Sequence, residues 1–318
     1  MFAKLPDFFG KHFVVGFFLP SIVFLATTLW LLNVFAPSTW ATIIKLNTSN
    51  DFAKLVNISI FGLVSWLLGI LLLATNREIL RIMEGYGRFN PVRIFKFFEK
   101  KRFSNLRKAK KALYDEIIRL EARGEELSAE GNKKEIQINR ELAERFPDEE
   151  CWLLPTSFGN IMRAFEVYSR VMYGLDAIPG WNRLIAVIPK DYYSVINDSE
   201  SIMNFWVNLC ALSWVVVFEY VLLSIYKGAI PIVWFPFAAV GISFIFFWRA
   251  KVAALEWGNF VKASFDVFLP ALYGKLGFPF PEDRKQEQSV WGDFSRAIIY
   301  RNPDELPPRK EKYDNSRS

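Results

Sequence analysis

Four apolar runs limit what this chain can fold into more than any other feature: His12–Ala36, Leu55–Ala74, Ile202–Tyr226 and Ile230–Trp248. Each is close to or above the ~20 largely apolar residues needed to cross the hydrocarbon core of a bilayer. A backbone in lipid must satisfy its own N–H and C=O groups, and no barrel-like alternation is visible, so the runs are expected as helices. Composition agrees: 52% hydrophobic and 17% aromatic residues, with 31 Phe and 11 Trp, suit a lipid-facing surface better than two soluble domains. The expected fold class is all-α, a four-transmembrane-helix bundle with cytoplasmic helical extensions and a charged helical hairpin.

Orientation follows from the basic residues. Of 39 Lys and Arg, only Lys45, Lys54 and Lys227 fall in the short connections within each pair of runs. The other 36 lie in the N-terminal stretch, the central region and the C-terminal tail, which are therefore expected on the cytoplasmic side of a plasma (inner) membrane. The net charge of +6 is then a topology signal, and nucleic acid is not expected as a partner, because no nucleic-acid-binding motif accompanies it. The first run is expected as an uncleaved anchor, since its apolar core is long and no small-residue cleavage site follows before Trp40. Trp30, Trp40, Tyr226 and Trp234 frame the outer ends of the runs, and Trp206, Trp248 and Trp257 the inner ends. Cys151 and Cys210 fall in different compartments on this topology and make no structural disulfide.

Five stretches are expected: 1–92 as the first transmembrane hairpin with its extension, 93–147 as the charged hairpin, and 148–201 as a cytoplasmic or interfacial helical region. Residues 202–270 form the second transmembrane hairpin with its extension, and 271–318 a cytoplasmic tail, disordered past Asn302. Pro20 inside the first run is tolerable where a neighbouring helix covers the carbonyl it leaves free. Gly62, Ser65 and Gly69 give the second run one small-residue face for close helix approach. Its helix is expected to continue through Asn76–Glu84 to Gly85. In the hairpin, Leu106, Leu113, Leu120 and Leu127 recur every seven residues, a coiled-coil-like seam broken at Gly131-Asn132. Whether that seam closes within one chain or between subunits stays open. Ile136, Ile138, Leu142 and Phe146 form a second, shorter apolar stripe. After the fourth run the helix is expected to end at Pro270, followed by an amphipathic helix over 286–300.

The densest stretch of turn residues, charges and aromatics is Leu153–Pro189. A helix capped by Thr156 or Ser157 and ended by Gly174 would place Asn160, Arg163, Glu166 and Arg170 on one face, at ~100° per residue. Glu166 and Arg170 stand at the spacing of an i,i+4 pair. Arg81 and Glu84 on the second run's extension are expected to pair with Glu166 and Arg163. Asp176 follows the helix, and Trp181 and Arg183 are expected to anchor a short element at the inner interface. These nine residues are the candidate functional or structural network. A second candidate is the polar stripe Asn204, Asn208 and Glu219 inside the third run, with Lys54 and Asn57 as the nearest partners in depth.

Three patches carry a resemblance. They are Asn76…Leu80-Arg81…Glu84-Gly85-Tyr86, then Leu154-Pro155-Thr156…Gly159-Asn160…Arg163-Ala164…Glu166…Tyr168…Tyr173-Gly174…Asp176 with Trp181…Arg183-Leu184, and Phe265-Asp266 with Glu287…Trp291. Together they resemble a broad group of uncharacterised bacterial multi-spanning membrane proteins. The resemblance implies a shared bundle and membrane location and carries no activity with it; the 93–147 insertion lies outside it.

Enzymatic motifs were sought in the same residues. His12 is the single histidine, and there is no HExxH, Gly-rich phosphate loop or Cys/His zinc spacing, so no catalytic residue, cofactor or metal is assigned. The reading favoured by the sequence is a non-enzymatic membrane scaffold, sensor or effector acting through its cytoplasmic helices. The alternatives are a subunit of an oligomeric channel or transporter, and a membrane-associated lipid-active enzyme using Glu84 and Glu166. Expected partners are the lipid bilayer and a twin subunit or another protein. The basic-residue split makes a direct prediction: on intact cells an impermeant thiol reagent should leave Cys151 unlabelled and modify Ser38→Cys. Labelling of Cys151 would overturn the orientation.

Overall fold

The computed structural model describes residues 10–37, 51–87 and 90–308. The lead-in before Gly10, the loop containing Trp40, Lys45 and Asn47-Thr48-Ser49, and the end of the tail lie outside the described residues. The helices are α1 (Lys11–Phe35, with a π-helical turn at Val14–Phe18), α2 (Asp51–Ala74), α3 (Asn76–Glu84), α4 (Lys96–Glu121) and α5 (Ala129–Arg145). They continue with α6 (Ser157–Tyr173), α7 (Ala177–Leu184), α8 (Lys190–Lys227), α9 (Phe235–Leu276) and α10 (Arg284–Tyr300). No strand occurs among the described residues. Four helices are long and apolar enough to cross a membrane: Lys11–Phe35, Lys54–Ala74, Lys190–Lys227 and Phe235–Leu276. The chain divides into two units, 1–83 with 197–254, and 84–196 with 255–318.

In the first unit two small clusters hold the apolar helices together. Phe13, Phe17 and Leu72 pack with Trp66, Ile79 and Leu212, and Leu31, Phe35, Val216 and Tyr220 pack with Phe24 and Phe235. The remaining faces are apolar and open: Ile58, Phe218, Ile225, Phe237 and Phe244 are all at least 62% exposed, as lipid contact requires. Of the small-residue face, Ser65 and Gly69 are used and Gly62 is not. A Cβ at Gly69 would sit 3.0 Å from the Phe13 ring, whereas nothing lies within 4 Å of Gly62.

Pro20 shows how this unit satisfies its backbone. Proline has no N–H for the carbonyl four residues back, which is Gly16. Asn208, fully buried on α8, donates its Nδ2 to that carbonyl at 2.8 Å. The approach is close because Gly16 has no side chain; a Cβ there would lie 3.4 Å from the Ser201 carbonyl oxygen and the Asn204 Cβ. His12 and Lys11 fix the start of α1 to the same helix, through Ser201 at 2.7 Å and Asp198 at 2.6 Å.

The second unit has a core of its own, with Phe158, Leu175, Leu184, Phe265, Leu269, Leu272, Tyr273 and Trp291 each at most 2% exposed. Each such side chain contributes about 1.5–3 kcal/mol relative to exposure. Trp291 is the centre of α10, its ring tilted against Tyr273 at 4.5 Å and edge-on to Phe294. The buried stripe of α10 runs through Trp291, Phe294 and Ala297, with Ser295 buried beside it.

Several boundaries differ from expectation for physical reasons. The break between α4 and α5 falls at 122–128 and not at Gly131-Asn132: Gly124 takes a left-handed turn, and the Ser128 side chain accepts from Gly131 N and caps α5. Leu127 is consequently off the helix and folds over Gly131, so the leucine seam stops at Leu120. Leu113 and Ile138 are buried, while Ile136 points outward at 67% exposure. α8 begins at Lys190, ahead of the apolar run, and α9 passes through Pro270 to Leu276, where Gly277 ends it with a positive φ. The Trp257 ring packs edge-on against Phe165 at 5.0 Å.

Asn208→Leu should lower stability by about 1–2 kcal/mol, because the Gly16 carbonyl loses its donor in an apolar setting. Pro20→Ala in the same chain should recover part of that loss by supplying a backbone N–H, as read by thermal melting in detergent. An additive double variant would show that the two residues do not serve one carbonyl.

Candidate functional site

Asn160 and Arg163 stand on the first half of α6 and Glu166 at its middle, whereas Arg170 and Asp176 lie at its far end and Trp181 and Arg183 on α7. Thr156 caps the helix, its Oγ1 accepting from Gly159 N at 2.9 Å, and Gly174 ends it in the left-handed conformation. Asn160 is completely buried and bonded on both ends of its amide: Oδ1 accepts from Leu154 N at 2.7 Å, and Nδ2 donates to Glu99 at 3.1 Å. It therefore pins the Leu154-Pro155 turn and the first turn of α4 at once. Gly159 faces the backbone of Glu84, where a Cβ would come within 2.9 Å of the Glu84 Cα. Gly85 adopts φ +93° and lies against Pro155, whose ring a Cβ on Gly85 would meet at 2.8 Å. The two glycine-bearing patches are thus complementary surfaces.

Arg163 points along this junction. Its guanidinium lies 3.6 Å from Glu166 and donates to the Tyr86 hydroxyl. Crowding around Glu166 lifts its carboxyl above the usual carboxylate range against the pull of Arg163, although 44% of the side chain still meets solvent. Burial likewise raises the Tyr86 phenol, with Arg163 opposing. Glu166 pairs three residues back with Arg163 and not forward with Arg170. Arg170 instead reaches Asp176 at 3.7 Å across the helix end and lies over the Trp152 ring. Asp176 is tied further by its N–H to Ser295 Oγ at 3.0 Å. Arg163 thus meets Glu166 and Tyr86; Glu84 is a buried residue at the end of α3, and Arg81 lies one turn earlier in that helix.

Trp181 and Arg183 are partly buried and packed against neighbouring rings. Trp181 is half-buried, 6.0 Å from the Phe265 ring, and Arg183 donates to the Pro179 carbonyl at 2.8 Å while covering Phe294. Missing from the sequence-derived set are Glu99, Tyr86 and Asp266. Asp266 accepts from the hydroxyls of both Tyr168, at 2.9 Å, and Tyr173, at 2.7 Å, while Lys262 and Arg284 lie over the two rings. Burial and the bond to Asp266 push the Tyr173 phenol up to about 12 and raise Tyr168 as well.

The polar stripe in the first unit is also bonded between helices. Asn204 accepts from Asn76 Nδ2 at 3.3 Å, Asn208 covers Gly16, and Glu219 accepts from Thr28 Oγ1 at 2.8 Å. The partner of Glu219 is thus on α1. Lys54, expected as a partner from α2, bonds Asp51 on its own helix at 2.9 Å. Buried Ser243 on α9 lies 3.5 Å from the Cys210 sulfur. Among the described residues no three His, Cys, Asp or Glu side chains converge as a metal set.

The chain matches no protein-family model, and comparisons with curated proteins and with solved structures give no match.

The Asp266 arrangement predicts a specific alkaline response. Both phenols titrate higher in the folded chain than at the ordinary value of 10.0, so their contribution is complete below pH 10 and lost as pH rises through the folded values, near 12 for Tyr173. Replacing both residues, Tyr168→Phe with Tyr173→Phe, should cost about 1 kcal/mol per bond at neutral pH. The double variant should also lose less stability than the wild type on moving into that alkaline range. Equal alkaline losses in melting experiments would reject the assignment.

Proposed function

We propose that this is a multi-pass protein of the bacterial inner membrane, with both termini cytoplasmic, acting non-enzymatically as a scaffold, sensor or effector through its cytoplasmic helices. The observation that carries this reading is how the polar residues around α6 are used. Asn160, Arg163, Tyr168 and Tyr173 bond to neighbouring segments and tie α6 into one module. What such a module offers outward is the surface of α4 and α5, which we read as the charged hairpin projecting into the cytoplasm. The pair is closed internally by Leu113, Ile138 and the Arg102–Glu141 bridge, with Phe103, Phe146 and Leu153 at its base. That closure favours a hairpin within one chain over a seam shared between subunits.

Its outer face still carries Tyr114 and Ile118, 62% and 47% exposed and one turn apart. We assign that ridge to contact with a twin subunit. The size of the detergent-solubilised particle tests it. The wild type should be oligomeric, and Tyr114→Glu with Ile118→Glu should shift the particle towards the monomer without lowering its melting temperature. A monomeric wild type, or an oligomer indifferent to both changes, would remove the twin subunit from the reading.

A further inference from the structure

The start of α4 is amphipathic in the wrong sense for a soluble helix. Phe103, 4% exposed, faces the core of the second unit, whereas Ile94, Phe95, Phe97 and Phe98 are 71%, 49%, 68% and 63% exposed. Taking 100° per residue, Ile94, Phe97, Phe98 and Lys101 lie together on the side roughly opposite Phe103. The rings form one patch, with Phe97 5.9 Å and Phe95 6.4 Å from Phe98, and are not scattered singly. The patch is also held rigidly. Asn90 caps the preceding 3-10 turn by accepting from Val92 N, and its Nδ2 donates to the Tyr86 carbonyl at 2.9 Å. Glu99 is bound inward to Asn160.

We propose that Ile94–Lys101 is a membrane-interface foot, whose apolar side chains seat at the headgroup–acyl boundary and whose basic rim engages anionic lipid headgroups. Three observations favour lipid over a protein as the occupant. The segment follows twenty residues after Ala74, where the second apolar helix ends. Its charges are one-sided: Arg93, Lys96 and Lys101 accompany the single acid Glu99, which is turned away, while Lys100 and Arg102 are engaged by Glu150 and Glu141. Aromatic rings interleaved with Lys and Arg are the composition of elements that lie in the interface, and the stem of Lys101 can extend along the patch while its ammonium reaches the headgroups. The preference for anionic lipid, though not the seating itself, rests on the cytoplasmic orientation proposed above, because that leaflet surface is negative.

The full chain can be tested with Cys151→Ser and Phe97→Cys, the new thiol carrying a nitrobenzoxadiazole fluorophore. It is reconstituted into nanodiscs of phosphatidylcholine with or without phosphatidylglycerol. A label at Ile136→Cys, equally exposed on α5, serves as the comparator. Lipids spin-labelled near the headgroup should quench position 97 and not position 136, and more strongly when phosphatidylglycerol is present. Arg93→Gln with Lys101→Gln should weaken the phosphatidylglycerol dependence, by about five-fold per charge removed. Quenching at 97 no greater than at 136 would overturn the foot, as would a label shielded from both water and lipid, which indicates a covering protein. Quenching indifferent to phosphatidylglycerol would overturn its anionic specificity. A failure of the orientation reading shows separately, as reaction of Cys151 with an impermeant reagent on intact cells.

Discussion

The backbone approach between Glu84-Gly85 and Pro155–Gly159 is the contact on which the second unit depends. It requires two residues without side chains, one for close packing and one for a positive φ, and a proline ring for the latter to rest on. Once these segments are in register, the rest of the site has little freedom. Tyr86 is delivered to Arg163, the Thr156 cap and the Asn160 amide fix the turn into α6, and Glu99 is drawn from α4 to the same amide. Charged pairs at the surface add modestly, at roughly 0–1 kcal/mol each. The register therefore comes from steric fit and buried amide bonds, with ion pairs such as Arg170–Asp176 placed around it.

A different constraint governs the first unit. Its helices expose apolar side chains almost throughout, so burial of apolar surface does little to distinguish one packing from another in lipid. Polar exceptions do that instead. Asn208 on the Gly16 carbonyl, Asn76 on Asn204, and Thr28 on Glu219 each join segments distant in sequence, and each replaces a hydrogen bond that water would otherwise supply. Gly16, where a Cβ would meet Ser201 and Asn204, lets α1 come close enough to α8 for the Asn208 bond to form.

The apolar runs and helix punctuation were legible because they are local. Hydropathy over twenty residues, a Thr156 cap and a Gly174 stop report on neighbours a few positions away. Asn160, Arg163 and Glu166 were likewise visible as a shared helix face. The partners of Asn160 and Arg163 were not, because Glu99 and Tyr86 come from segments distant in sequence, as does the Asp266 that receives Tyr168 and Tyr173. The same limit explains Glu219: depth pointed to Lys54, but lateral position around a bundle is set by packing, and that placed Thr28 beside it. Pro270 misled for a related reason. Proline opposes a helix locally, yet Leu269 and Leu272 on either side are core residues, and their burial outweighs the missing backbone bond.

The carbonyl shared by Pro20 and Asn208 also restricts the order in which the two positions can change during descent. If Pro20 is exchanged first, the Gly16 oxygen has two donors available, which a carbonyl with two lone pairs accommodates, and Asn208 becomes free to vary. If Asn208 is exchanged first, a buried oxygen is stranded and the intermediate is penalised. The proline thus acts as a one-way catch: while it stays, the asparagine on the other helix is held in place by a residue 188 positions away.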